Sequence, residues 1–466
     1  MKYTYVILGI IMSFVVFVSL RTLTSQPRYF FDEAGIVETA RNFATDGKLD
    51  IMVSPNIFSG YSHLFNATGY TVSLPLALIF KLSHVNLVSG RLMMLAWLLI
   101  ALWSIFYVVR VFWGQPAGLY ATALVASFAP FYGNGMQIMG EIPGFVFLIW
   151  GLYQLIQKQN FKLTGLLFGL SAISKPSMYI LLLPSFLIYL YFFEENKLQK
   201  LKDFIIGCIG PIALFFILIV PNIFSSKNWI EIINLYRNPF DSPSLFNNVI
   251  SNIQTYWNHS TIIYFGLLLI VITSFIFKNY QLTEIKFRKL YFFTFIYITF
   301  LIIYFLRSPG WFRYLLPLEL LTLIFLYPIL SIGKKRLGLY ITIFLILLNI
   351  GQLFLFRGDV RDTSPQDTAS YITNLKQSVG IINALEVSSL IPTEQRYQIV
   401  KYVGVPELGF NPLLIKDPFR TQLIVFKSAD NAMVVPHQNI LDTYYQPLNQ
   451  IGSYRIYQLK SVEKQP

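Results

Sequence analysis

Charge is what this sequence most lacks. Only 13% of its 466 residues are charged, where a soluble domain carries about 25%. So few charges cannot build the basic face that a nucleic acid needs, and no nucleic-acid partner is expected. The balance of 36 Lys+Arg against 23 Asp+Glu, a net charge of +13, therefore needs another explanation. Cysteine is nearly absent too. The single one, Cys208, lies in an apolar run and excludes a disulfide framework or a cysteine-based zinc site. What is present is apolar: 55% hydrophobic and 17% aromatic residues exclude a disordered chain. Stretches of about 20 apolar residues recur, each long enough to cross a hydrocarbon core about 30 Å thick. The composition is that of a polytopic membrane protein.

About eleven spans are expected, near 4–24, 87–110, 116–133, 142–157, 163–175, 178–193, 204–221, 260–278, 290–306, 313–331 and 338–356. All should be helices, because lipid offers no partner for an unpaired backbone N–H or C=O. The first segment starts like a secretory signal, with Lys2 ahead of an apolar core. Its core is long for one and Ser25-Gln26-Pro27 is a poor cleavage site, so it is expected to stay as a span.

The basic residues set the orientation. Alternate short connections carry Arg110; Lys158 and Lys162; Lys197, Lys200 and Lys202; Lys278, Lys286, Arg288 and Lys289; and Lys334, Lys335 and Arg336. These should be cytoplasmic, which makes the basic excess a topology signal. The N-terminus is then inside, and a loop at 25–86, another at 222–259 and a tail at 357–466 lie outside. In the first outer loop, residues 32–46 (DEAGIVETARNFATD) place Ile36, Val37, Ala40, Phe43 and Ala44 at helical spacing. That pattern predicts an amphipathic helix in the membrane interface. Residues 70–83 (YTVSLPLALIFKLS) predict a re-entrant or interfacial helix too short to span. The tail recovers charge and loses long apolar runs. A helix is expected from about Asp362–Gln366 to Leu385, with strands at Gln422–Phe426 and Ser453–Leu459. The fold class is an all-α polytopic membrane domain (1–356) followed by a small extracytoplasmic α/β domain (357–466).

Ionisable residues at span mouths are costly and invite a functional explanation. On the outer side stand Asp32 and Glu33 in RYFFDEAG, Glu141 in GNGMQIMGEIPG, Lys175 in SAISKPSMY, and Arg307 and Arg313 in FLRSPGWFRYLLPLE. Arg91 opens the second span and Glu319 sits within the tenth. Carboxylates can take a proton from an attacking hydroxyl or hold a divalent cation such as Mg or Mn, with Asp32 and Glu141 as the candidate ligands. Lys and Arg can neutralise a phosphate. Singly, each has a plainer reading. Asp32-Glu33 and Glu141 could cap helices, the cations could snorkel to headgroups, His63 could be an ordinary loop residue, and Glu319 could serve only the bundle. Their location together on one face is what the plainer readings do not require.

The run FFDEAGIVETARNFATDGKL after the first span resembles the first outer loop of GT-C membrane glycosyltransferases. It is most similar to the branch of protein O-mannosyltransferases and the lipid A aminoarabinose transferase. TGYTVSLPLALIFKL, SGRLMMLAWLL, GLLFGLSAISKPSMYILLLP and RYLLPLELLTL follow in the order that branch shows, and the resemblance covers about residues 1–350. It implies a polyprenyl-phosphate sugar donor, transfer at the outer face to a protein, lipid or glycan, and inversion at the anomeric carbon. It also implies catalytic roles for Asp32, with Glu33 in support, and for Glu141. Lys175, Arg307, Arg313 and Arg91 would bind the donor phosphate. In SGYSHLFNATGY, Tyr61 and His63 match the acceptor side loosely. Two other classes stay open: a transporter or flippase of lipid-linked sugars, and a non-catalytic membrane assembly protein.

Overall fold

The computed structural model describes residues 2–59, 69–219, 245–258, 260–278, 284–308, 311–333, 335–355, 362–402, 421–427 and 438–460. The helices of the first half are α1 (Lys2–Leu20), α2 (Phe31–Asp46), α3 (Tyr70–Leu82), α4 (Leu87–Trp113), α5 (Gln115–Ser127), α6 (Ala129–Gly135), α7 (Glu141–Tyr153), α8 (Phe161–Ser174), α9 (Pro176–Tyr179), α10 (Leu182–Phe193) and α11 (Lys197–Ile219). A two-stranded ribbon, β1 (Met52–Ser54) with β2 (Ile57–Phe58), follows α2. Then come α12 (Leu245–Asn258), α13 (Ser260–Lys278), α14 (Ile285–Arg307), a 3₁₀ turn Phe312–Leu315, α15 (Leu316–Gly333) and α16 (Lys335–Leu355).

The expected spans fall mostly on helix as far as the described residues reach, with breaks at residues 21–24, at Phe128 and at Ile180–Leu181. Six stretches are long and apolar enough to cross a membrane: Tyr3–Leu20, Leu87–Trp113, Pro176–Phe193, Ile285–Arg307, Phe312–Ile332 and Arg336–Phe354. Their burial differs in an orderly way. In α15, Leu320, Leu321, Leu323 and Leu326 are fully buried, while Ile10 and Phe17 of α1 and Phe344 and Leu347 of α16 are exposed apolar side chains suited to lipid. Small residues let α8 and α11 touch backbone to backbone. A Cβ at Gly165 would stand 2.0 Å from the Phe204 carbonyl oxygen, and one at Gly207 would stand 1.9 Å from that of Lys162. Such contact is how helices associate where no hydrophobic drive operates between them.

The first loop and the tail depart from expectation in two places. Helix α2 forms as predicted, but the polar face expected to be free is buried. Residues 33–42 are all buried, including Glu38, Arg41 and Asn42. The apolar side packs on α3 and α4 through Ile36, Val37, Leu76 and Met94, and Leu385 of the tail joins the same cluster. The tail covers the polar side. In the tail, α17 (Ser364–Leu375) stops ten residues earlier than expected because Lys376 is left-handed, with φ +52°. The apolar run that follows is not helix but β3 (Val379–Ile382), buried on every residue. After α18 (Leu385–Ser388) come β4 (Ile399–Tyr402), β5 (Leu423–Lys427), α19 (Gln438–Tyr444), β6 (Tyr445–Ile451) and β7 (Tyr454–Leu459). The sheet order is β4-β3-β5-β7-β6, with β3 parallel to β4 and β5, and β7 antiparallel to β5 and β6.

Candidate active site

Two acidic residues open α2. Phe30 before it is extended and provides no side-chain cap, so Asp32 and Glu33 answer the helix dipole instead. They point to different partners. Glu33 turns inward to Arg91 of α4, whose Nε stands 2.7 Å from Oε1, and the Arg91 Nη2 donates to Oε2 at 2.7 Å. The backbone N–H of Ile138 also donates to Glu33, at 3.0 Å. Both side chains are fully buried. Burial pushes the Glu33 carboxyl up to about 7, against the opposing pull of the Arg91 charge and the Ile138 N–H. Arg91, expected to bind phosphate, is therefore enclosed with its own counter-ion.

Asp32 is 40% exposed and pairs with Arg313 on the 3₁₀ turn, Nη2 to Oδ2 2.8 Å. The guanidinium lies over the Trp311 ring, 4.6 Å from its centroid, with Phe30 and Tyr314 at 5.8 and 5.7 Å. Such cation–π faces hold a cation without neutralising it. Glu141 begins α7 beside the end of α8. Gly140 makes this possible: a Cβ there would stand 1.7 Å from the Ser174 carbonyl oxygen. Pro176 forces Lys175 out of helix, and its backbone (φ −151°, ψ 85°) turns the chain at that point. The two adjustments bring Lys175 Nζ to 3.3 Å from Glu141 Oε1, with both side chains almost fully buried. Tyr179 O–H donates to the Glu141 carbonyl at 2.6 Å and fixes the start of α7.

The two ion pairs form one cluster. Lys175 lies within electrostatic reach of Asp32 and Arg313 as well as Glu141, and Arg313 within reach of Glu141. Met139, next to Gly140, touches Arg313 through its sulfur at 3.7 Å. Polar capacity is left over. Among the described residues neither Glu141 carboxylate oxygen accepts an aligned hydrogen bond, and Arg313 Nε donates none. Four of the expected residues, Asp32, Glu141, Lys175 and Arg313, thus meet. Arg307 stands exposed at the end of α14, within electrostatic reach of Tyr304. Tyr61 and His63 lie outside the described residues. Glu319 is buried and lines an apolar cavity of about 180 Å³ with Tyr256, Phe305 and Leu318. Asp32 and Glu141, the candidate ligands of a divalent cation, each face a cation, Arg313 and Lys175, and among the described residues no three His, Cys, Asp or Glu gather into a metal cluster. The aromatic wall of Phe30, Trp311 and Tyr314 was not anticipated, although the aromatics beside each charge in RYFFDE and GWFRY carry the signal.

The sequence model of the family Dolichyl-phosphate-mannose-protein mannosyltransferase matches residues 70–224, about a third of the chain. No curated protein sequence matches significantly. The structure is similar to that of ArnT from Cupriavidus metallidurans in the apo state, with TM-score 0.58 and 12% identity over 96% of this chain and 97% of that one. It is similar to the same protein bound to undecaprenyl phosphate, with TM-score 0.57 and 12% identity over 97% and 98%. The oligosaccharyltransferase of Archaeoglobus fulgidus, tethered with an acceptor peptide containing the NVT sequon, matches with TM-score 0.55 and 10% identity. That match covers 96% of this chain and 72% of the other.

Proposed function

We propose that this multi-pass membrane protein, which has the GT-C fold, is a glycosyltransferase moving a sugar from a polyprenyl-phosphate carrier to an acceptor outside the cytoplasm. The observation that carries this reading is the alternating cluster Asp32–Arg313 and Glu141–Lys175, with hydrogen-bonding capacity unused on Glu141 and Arg313. The similarity to ArnT bound to undecaprenyl phosphate supports a lipid-phosphate donor. The similarity to an oligosaccharyltransferase tethered with an acceptor peptide supports an acceptor on the outer face. The basic residues of the alternate connections support an N-terminus inside and the tail outside.

In this reading Asp32 accepts the proton of the acceptor hydroxyl as its oxygen attacks the anomeric carbon. The bond from that carbon to the phosphate oxygen breaks on the opposite side, so configuration inverts and the polyprenyl phosphate leaves with its electron pair. Negative charge grows on the departing phosphate, and Lys175 and Arg313 meet it there more strongly than in the ground state. Arg313 holds the Asp32 carboxylate in place until the phosphate claims the guanidinium. Glu141 aims the Lys175 ammonium. Glu33 and Arg91, enclosed together, hold the first turn of α2 rather than touch substrate. The test is transfer from a synthetic polyprenyl-phosphate hexose by the purified chain against its Asp32→Asn variant. Equal rates would remove Asp32 from the mechanism, and no transfer across a panel of donors and acceptors would remove the function.

A further inference from the structure

Helix α2 carries Asp32 in its first turn, yet its middle is fastened to a segment some 350 positions later. Arg41 is fully buried, nine residues or about 13 Å further along the helix than Asp32. Its Nη1 donates to the backbone carbonyls of Ser389 at 3.3 Å and Ile391 at 2.8 Å, and its Nη2 pairs with Glu38 of the same helix. Asn42 donates to Glu38 at 3.2 Å and to the Asp50 carbonyl at 2.7 Å, so the Glu38 carboxylate is itself held. At the other end, Tyr29 shares a 2.8 Å hydrogen bond with the Ser389 hydroxyl, and the Pro27 carbonyl accepts from Arg91 at 3.2 Å. The outer domain therefore grips the chain on both sides of Asp32, at Tyr29 just before α2 and at Arg41 within it.

A buried guanidinium is costly, the Arg41 Nε finds no hydrogen-bond partner among the described residues, and apolar residues of like size would pack a merely covering helix as well or better. Its planar fork accepts partners only in fixed directions. Arg41 therefore ties the angle and register of α2 to the Ser389–Ile391 segment. We propose that Arg41 is a positioning residue through which the outer domain sets Asp32 against Arg313, an inference that rests on Asp32 acting as the base. The outer domain is then a working part of the active site and not a covering.

The test uses the full-length purified protein, with a synthetic polyprenyl-phosphate hexose as donor. Arg41→Ala should lower kcat about 10- to 100-fold, the effect of roughly an ångström of misplacement. KM for the donor and binding of polyprenyl phosphate should stay within about two-fold. Arg41→Lys, which keeps the charge but not the fork, should fall between. Unchanged kcat would overturn the proposal, as would equal losses of kcat and donor binding. If Arg41→Ala does not yield folded protein, Tyr29→Phe decides, because it deletes only the bond to Ser389: lower kcat at constant KM supports the proposal and unchanged kcat overturns it. Hydrogen exchange over residues 31–36 gives a readout free of activity. It should quicken in Arg41→Ala, and unchanged exchange would count against positioning. Failure of the underlying reading is seen separately, as wild-type kcat in Asp32→Asn.

Discussion

Two glutamates bracket the crossing that runs from Pro176 to Phe193, about 27 Å long as helix, and their neighbours treat them differently. Beyond its far end, Glu194 accepts from Lys200, Lys289 and the Tyr189 hydroxyl, all at 2.6 Å. Burial raises its pKa, but those three donors outweigh it and hold the carboxyl below its usual range. Before its near end, Glu141 faces Lys175 at 3.3 Å and accepts no aligned hydrogen bond among the described residues. Buried polar atoms in folded proteins are nearly always paired. A satisfied carboxylate is a tie between helices, here α10, α11 and α14. An under-satisfied one beside two cations suits a ligand that arrives later.

The largest effect expected from that contrast is on chemistry. Asp32→Asn should lower kcat about 10²- to 10⁴-fold, the usual worth of a general base, with donor KM little changed, measured by single-turnover sugar transfer. Lys175→Met should follow with about a 10- to 100-fold loss in kcat/KM, the worth of one charge-assisted contact to a phosphate. If Lys175→Met left kcat/KM intact, the near cluster would be a tie like the far one. Glu194→Gln should do the reverse. It leaves two lysines facing a neutral group and should lower thermal stability by about 2–4 kcal/mol, while activity per folded molecule stays at the wild-type level. Because the Glu194 carboxyl is held down, its stabilisation is present above the unfolded pKa and is lost as pH falls through the folded one, and Glu194→Gln should remove that acid sensitivity. The smallest effect belongs to Glu33. Its carboxyl is pushed up to about 7, so its favourable contribution is fullest below the unfolded pKa and is lost as pH rises through 7. Thermal midpoints measured from pH 5 to 8 should fall with rising pH, and Glu33→Gln should flatten the trend.

Legibility in the sequence followed the range of the forces involved. The spans were readable because lipid imposes helix on any apolar run long enough to cross it. The break at Lys175 was readable from Pro176. The second half of the expected tail helix was not. VGII, followed at once by the polar Asn383, is a short apolar run, a pattern that fits a buried strand or a buried helix equally. Pairing of Val379–Ile382 with Ile399–Tyr402 and Leu423–Phe426 decided for strand. The acidic motif RYFFDEAG marked the site but not its division of labour. Asp32 and Glu33 are neighbours in sequence, and successive side chains on a helix point about 100° apart. One reaches Arg313 and the other Arg91.

Composition and pattern alone determined the membrane class, the apolar helices and the set of ionisable residues at the span mouths, because burial in lipid is local and unforgiving. Only the tertiary structure decided which charges meet. Gly140 against Ser174 joins Glu141 to Lys175, and the 3₁₀ turn before α15 delivers Arg313 to Asp32. It also decided that α2 has no free polar face. The scarcity of charge sharpened this outcome: with so few charged groups, each buried one is costly unless a specific partner is brought to it, and bringing partners together is what the fold does.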